Sequence, residues 1–186
     1  MIDGMRMLLL PGWQDSAAGH WQSRWEQLHG AERVQQNDWW WPRRGDWMAR
    51  LEEALLADPR PALLIAHSLG CQLVAAWAAH SQQLGRVRGA LLVALPDIAR
   101  ADMPPQLQAW APIPTRRLPF KSTAVLSSDD PYCTLARGQQ MAADWGCDVH
   151  AIGARGHING DSGLGDWAEG WQLLMRLGAG AVEAST

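Results

Sequence analysis

The chain has 186 residues, of which 47% are hydrophobic, and carries a formal net charge of −3 at pH 7. This length and composition are typical of one globular domain that buries about 70% of its unfolded-chain surface. The small negative charge and the lack of a Lys/Arg cluster argue against nucleic acid as a partner. Three cysteines, Cys71, Cys133 and Cys147, have no metal-ligand spacing and cannot all pair, which favours a reducing cytoplasm.

The apolar runs are too short for a membrane protein. The N-terminal run over residues 7–10 stops at Pro11-Gly12, so the pattern predicts no signal peptide. No apolar run approaches the roughly 20 residues that a membrane helix needs. We therefore expect a cytoplasmic protein with no membrane partner.

Short apolar runs alternate with helical patterns along the chain. This alternation predicts one α/β domain over residues 1–186, with a mainly parallel sheet of about six strands, helices on both faces and no large lid. The predicted strands are 5–10, 32–36, 62–66, 89–95, 123–127 and 148–152.

Apolar residues at helical spacing predict five helices between and after these strands. The first contains Trp21 and ends before Gly30, and the second follows Asp46 as N-cap and ends before Pro59. The others cover about 69–80, about 135–145, and a C-terminal segment that begins near 165–166. Residues 178–186 are expected to be frayed.

A serine lies between the third predicted strand and its helix. Residues 66–70 read Ala-His-Ser-Leu-Gly, and a strand, a serine and a helix in that order are typical of a nucleophile elbow. The turn is so tight that the serine takes a strained backbone conformation and the residues two positions to each side must be small. Gly70 and Ala66 meet that need, although Ala66 departs by one methyl group from the usual glycine.

An acid and a histidine follow the serine in the order that this architecture requires. Asp129 and Asp130 come directly after the strand at 123–127, and His157 follows the last strand. Because the carboxyl ends of parallel strands share one sheet edge, these groups should meet Ser68 there. Asp130 is the favoured acid, with Asp129 and Asp97, which also follows a strand, as alternatives.

The roles of these residues follow from acyl-transfer chemistry. His157 would take the Ser68 hydroxyl proton and deliver it to the leaving group, while Asp130 orients the imidazole. The backbone N–H of Leu69, at a helix N-terminus, and that of Trp13, in the loop after the first strand, are the predicted oxyanion donors. This chemistry requires neither a metal nor an organic cofactor.

The remaining histidines and Cys71 receive structural interpretations. His67 is expected to point away across the elbow, and His20 is expected at the surface or as a helix cap. Cys71, one turn beyond the serine, should be buried rather than nucleophilic.

Two irregular segments have no assigned role. In an extended chain, residues 39–41, which are three consecutive tryptophans, would alternate faces, so at least one would line an acyl pocket or a partner surface. The alternative is a satellite cluster under the loop. Residues 96–119, which contain six prolines, are expected to cover the site.

Taken together, the motifs resemble the retinoblastoma-binding protein 9 family of small serine hydrolases, including its bacterial members. The resemblance covers the chain from about residue 8 to residue 174. It implies a compact α/β-hydrolase without a large lid and a triad of Ser68, Asp130 and His157, because the family places its acid directly before a proline. The matching segments are LPGWQDS at 10–16, HW at 20–21, AHSLG at 66–70, SSDDPY at 127–132, WG at 145–146 and GHIN at 156–159.

The family name suggests binding to retinoblastoma-type pocket proteins through Leu-x-Cys-x-Glu. Here Leu73 stands in place of the glutamate on a predicted buried helix, so this partner is not expected. The sequence predicts a serine hydrolase that cleaves a small carboxylic ester or an amide through an acyl-Ser68 intermediate. An acyltransferase or peptidase with the same triad, and a non-catalytic binding protein with this fold, are the alternatives; the oligomeric state is not predicted.

Overall fold

The computed structural model describes residues 4–183, with side chains for residues 4–179. Six strands form one parallel sheet in the order β2-β1-β3-β4-β5-β6. This architecture confirms the predicted α/β fold. The strands are β1 Arg6–Leu10, β2 Glu32–Arg33, β3 Ala62–His67, β4 Val87–Val93, β5 Lys121–Leu126 and β6 Asp148–Ala151.

Within the described residues, five α-helices pack on the two faces of this sheet. They are α1 Trp21–His29, α2 Arg44–Leu56, α3 Leu69–His80, α4 Leu135–Trp145 and α5 Ala168–Glu183. Three short 3₁₀ helices, Leu84–Arg86, Pro105–Trp110 and Gly160–Ser162, lie in the connections. Within residues 4–183, no helix has the length and apolar character needed to cross a membrane.

The core forms two layers because successive strand residues face opposite sides of the sheet. Leu8 and Leu10 of β1 face the cluster built with α2, α3 and α4. Leu9 faces the second cluster, built with α1 and α5. Strands covered on both faces read as continuous apolar runs, which is why β3 and β4 could be recognised in the sequence.

Several element boundaries differ from the predictions. Strands β4 and β5 each begin two residues earlier than predicted. Strand β2 pairs at only two positions, since it lies at the sheet edge with β1 as its single neighbour. Helix α2 begins at Arg44 after Arg43 as N-cap, so Asp46 lies inside the first turn and is not the cap. An acidic residue there still interacts favourably with the helix dipole.

The C-terminal segment is helical where fraying was expected. Helix α5 continues to Glu183, and residues 184–186 lie outside the described part of the chain. Leu173, Leu174 and Leu177 are buried in the second cluster, so packing against the sheet stabilises the part of the helix that precedes residue 178.

The tryptophans connect the loops to the core. The indole N–H of Trp21 donates to the Ile158 carbonyl (2.8 Å), and that of Trp110 donates to the Pro42 carbonyl (2.8 Å). A phenylalanine would fill similar volume but would leave such carbonyls without this donor. The other indole bonds to loop carbonyls are made by Trp13, Trp25, Trp47 and Trp145.

Candidate active site

Ser68 occupies the tight turn between β3 and α3. Its backbone lies at φ 53° and ψ −122°, a conformation that costs energy for a residue with a Cβ. A Cβ added at Gly70 would lie 2.1 Å from the Leu10 carbonyl oxygen, inside van der Waals contact. The elbow therefore lies directly against the end of β1, which explains why residue 70 must be glycine.

A hydrogen-bond network around Asp129 shapes the loop that carries His157. Asp129 Oδ1 accepts from the Gly156 N–H and from the Ser127 hydroxyl, both at 2.7 Å. The Ser127 hydroxyl in turn accepts from the Arg155 N–H at 2.9 Å. Asp129 thus positions the loop, and hydrogen bonds from Ser127 and then from Gly156 lower the pKa of its carboxyl group.

The structure brings Ser68, His157 and Asp130 together. His157 Nε2 lies 2.8 Å from Ser68 Oγ, and Nδ1 lies 2.9 and 3.0 Å from the two Asp130 oxygens. A carboxylate can only accept, so Nδ1–H donates to Asp130 and Nε2 is free to accept the Ser68 hydroxyl proton. The Asp130 side chain is 4% exposed, and its Oδ1 also accepts from the Tyr132 N–H at 2.9 Å.

Neither alternative acid contacts His157. Asp129 accepts from the Ser127 hydroxyl and the Gly156 N–H, as described above. Asp97 lies 3.5 Å from Arg137 and accepts from the Ala99 N–H. Among the described residues, Asp130 is therefore the one carboxylate within hydrogen-bond distance of the imidazole.

The two predicted oxyanion donors flank the serine. A Cβ added at Gly12 would lie 2.9 Å from Ser68 Cβ and 3.4 Å from the Leu69 nitrogen, so the loop after β1 lies over the elbow. Leu69 is the first residue of α3, where N–H groups have no partner within the helix. In the described structure, the N–H of Trp13 has no hydrogen-bond acceptor, whereas the N–H of Gln14 donates to the Trp39 carbonyl (3.0 Å).

The segment at residues 39–41 supports this loop rather than lining the cavity. The Trp13 indole donates to the Trp40 carbonyl (2.9 Å), and the Trp39 ring packs edge-on against Trp47. Trp40 and Trp41 are 62% and 61% exposed. The acyl-pocket interpretation of these tryptophans is thus wrong for the cavity at Ser68, while a partner surface stays a prediction.

A cavity of about 380 Å³ opens over Ser68. One part of its lining is mainly polar and comes from residues 14–20 and 157–161. Another part is apolar and comes from Leu69 and from residues 96–107, so the first half of the predicted 96–119 cover lines the cavity and residues 108–119 do not. Its apolar lining residues in that segment are Pro96, Met103, Pro104 and Leu107.

His67 is structural, as predicted, but it does not point away from the site. Its ring lies 4.9 Å from the His157 ring, and its Nε2–H donates to the His157 carbonyl oxygen at 2.9 Å. Burial, more than the neighbouring His20 and His157, holds the pKa of His67 well below its usual range. A neutral imidazole here supports the backbone of His157.

His20 is the N-cap of α1, as predicted, but it is buried. Its Nδ1 accepts from the Gln22 N–H (3.1 Å) at the start of α1, and its ring lies 4.6 Å from that of His67. The residue is 5% exposed and lines the cavity. Burial lowers the pKa of His20 to about 3, with smaller contributions from Arg33 and His157.

Cys71 is buried on α3, as the sequence predicts. Its Sγ lies 3.4 Å from the Val93 carbonyl oxygen, and burial raises the pKa of the thiol far above its usual value. Cys71 is therefore not a candidate nucleophile. Within the described residues, no group of three or more His, Cys, Asp or Glu side chains forms a metal-binding cluster.

A parallel sheet with a strained serine between β3 and α3 is the architecture of the α/β-hydrolases. The family model for serine hydrolases matches residues 7–176, and the chain belongs to this family.

Solved structures resemble the chain over most of its length. A protein assigned as a YdeN-like hydrolase from Pectobacterium atrosepticum is 27% identical, with a TM-score of 0.84 over 95% of this chain and 92% of that one. The ydeN gene product of Bacillus subtilis is 18% identical, with a TM-score of 0.70 over 93% and 98%. A carboxylesterase from Bacillus cereus is 17% identical, with a TM-score of 0.60 over 95% and 90%. No curated protein matches the sequence significantly.

Proposed function

We propose that the protein hydrolyses a small carboxylic ester through an acyl-Ser68 intermediate. The observation that carries this proposal is the hydrogen-bonded series from Ser68 through His157 to Asp130, with both links between 2.8 and 3.0 Å. Membership of the serine hydrolase family and a fold shared with a carboxylesterase support it. The motifs quoted above favour a place beside the retinoblastoma-binding protein 9 hydrolases.

In the first half of the reaction, Ser68 Oγ attacks the ester carbonyl carbon while His157 Nε2 takes the hydroxyl proton. The carbonyl oxygen becomes negatively charged in the tetrahedral intermediate and accepts from the N–H groups of Trp13 and Leu69. Each such donor contributes about 3 kcal/mol to the transition state. The bond to the leaving oxygen then breaks, and His157 gives its proton to the departing alcohol.

In the second half, water attacks the acyl carbon and gives a proton to His157. The intermediate collapses, the bond to Ser68 Oγ breaks, and the proton returns to the serine. The products are a carboxylic acid and the free enzyme. Asp130 holds the imidazole in the required tautomer and stabilises the imidazolium in both halves.

An active-site-directed fluorophosphonate tests this proposal. The wild-type protein should be labelled and should hydrolyse short-chain esters, whereas Ser68→Ala should do neither. Cys71→Ala is the matched control, because it changes the other nucleophile near the elbow and should leave labelling intact. Equal labelling of the wild type and Ser68→Ala would refute the assignment.

A further inference from the structure

The backbone around His157 is strained. His157 lies between Gly156, at φ 54°, and Ile158, at φ 47°. Glycine adopts such left-handed angles freely, but a β-branched residue such as isoleucine adopts them only at a cost in energy. The Ile158 N–H closes this turn by donating to the Arg155 carbonyl (3.1 Å). Strain of this kind persists only where surrounding contacts hold it, and it is concentrated at functional sites.

Two buried side chains hold this turn from other parts of the fold. The Trp21 indole N–H donates to the Ile158 carbonyl at 2.8 Å, and His67 Nε2–H donates to the His157 carbonyl at 2.9 Å. Trp21 is 1% exposed and His67 is 5% exposed. Because Ile158 is 0% exposed, loss of the indole donor would leave its carbonyl buried without a partner.

The neighbours of these two donors fix them in place. The Trp21 ring packs edge-on against those of Trp25 and Trp167, with centroids 4.8 and 4.9 Å away. The His20 ring packs edge-on against His67, with centroids 4.6 Å apart. The His-Trp pair at residues 20–21, which takes no part in the chemistry described above, therefore supports the turn twice. Trp21 bonds to it directly, and His20 acts through His67.

The bond from His67 also connects the turn to the nucleophile. His67 directly precedes Ser68, so His157 bonds to two successive residues of the elbow. Its carbonyl accepts from His67, and its Nε2 lies 2.8 Å from Ser68 Oγ. The relative position of the serine hydroxyl and its base is thus fixed by more than their own hydrogen bond.

We propose that Trp21 and His67 are positioning residues for the reaction. Their hydrogen bonds hold the strained turn so that His157 Nε2 meets Ser68 Oγ before a substrate binds. This placement matters because a displacement of about 1 Å in a catalytic group can lower the rate about 100-fold. The inference rests on the proposed function and adds to it the residues that hold its general base.

Matched substitutions on α1 separate positioning from packing. Trp21→Phe removes the donor to Ile158 and keeps an aromatic ring. Trp25→Phe is the control, because it makes the same change in the same buried cluster, but the Trp25 indole bonds to the Asp166 carbonyl (2.7 Å). With a short-chain ester, Trp21→Phe should lower kcat at least about tenfold. KM should stay unchanged, since Trp21 is not among the described residues that line the cavity. Trp25→Phe should retain the wild-type kcat.

Two variants at His67 test the second hydrogen bond. His67→Leu removes the donor and should lower kcat at least about tenfold. His67→Gln supplies an amide N–H in place of the imidazole N–H and should restore most of the wild-type kcat. Circular dichroism at the assay temperature establishes that each variant is folded. If Trp21→Phe does not fold, the two His67 variants still decide the question.

The outcomes separate this inference from the function on which it rests. Equal kcat values for Trp21→Phe and Trp25→Phe, or a higher KM without a lower kcat in Trp21→Phe, would overturn the role of Trp21. Equal kcat values for His67→Leu and His67→Gln would contradict the role of His67. Both results are recognisable while the wild-type protein cleaves esters and Ser68 is labelled. Absence of both ester cleavage and fluorophosphonate labelling in the wild type would instead refute the proposed function, and this inference with it.

Discussion

Mild acid should destabilise the fold through the buried imidazoles of His20 and His67. Burial lowers the pKa of His20 from 6.5 to about 3, and burial also lowers that of His67. Between pH 6.5 and about 3, the His20 imidazole of the unfolded chain binds a proton that the folded chain excludes. The free energy of unfolding therefore decreases as the pH falls below 6.5. At pH 5, the contribution of His20 to this loss is about 2 kcal/mol. His67 adds a loss of the same sign.

Carboxylates do not contribute much in this window. Asp38, Asp58, Asp102 and Asp129 have pKa values lowered from 3.8, chiefly by hydrogen bonds. Their stabilisation is complete above 3.8 and is lost only as the pH falls further. A loss of stability between pH 8 and pH 5 therefore reports on the histidines whose pKa is lowered by desolvation, which are His20, His67 and the partly buried His29.

Urea unfolding at pH 8 and at pH 5 measures this effect. In the wild type the free energy of unfolding should fall by at least about 2 kcal/mol between the two pH values. In His20→Ser this difference should shrink by about 2 kcal/mol, whatever the variant's stability at pH 8. His80→Gln, which changes an exposed histidine at the end of α3, should keep the wild-type difference. An unchanged difference in His20→Ser would refute the reasoning.

Four further substitutions test the elbow and the choice of acid. Gly70→Ala places a methyl group against the Leu10 carbonyl and should cost about 3 kcal/mol or more, measured by urea unfolding. Ala66→Gly should cost only about 1 kcal/mol and retain ester hydrolysis, since this position requires only a small residue. Asp130→Asn should lower kcat by about 10⁴-fold. Asp129→Asn retains an acceptor oxygen and should keep most of the activity. Comparable losses of activity in the two variants would contradict the assigned roles.

The sheet and the serine–histidine–aspartate geometry could be predicted because both depend on chain order. Buried parallel strands appear as continuous apolar runs, and residues that follow such strands must share one sheet edge. These two rules were sufficient to predict that Ser68, Asp130 and His157 lie close together. The same reasoning could not fix the extent of β2, because an edge strand ends where its single neighbour stops pairing.

The environment of the site could not be predicted from local sequence. His20 is a helix cap by its local pattern, and only the packing of α1 against β3 makes it a buried neighbour of His67. The positioning role of Asp129 depends on the Gly156 N–H, which is 27 residues away along the chain. Contacts of this kind depend on tertiary placement, for which hydrophobic periodicity carries no signal.

The large chain separation between the proposed nucleophile and its proposed base has a consequence during protein synthesis. Ser68 and His157 are 89 residues apart, and the indole of Trp21 bonds beside His157 across 137 residues. At a translation rate of about 5–20 residues per second, the serine is made roughly 4–18 seconds before its histidine. A nascent chain thus carries Ser68 before His157 is made, so the proposed esterase activity should first appear after the final strand has been synthesised.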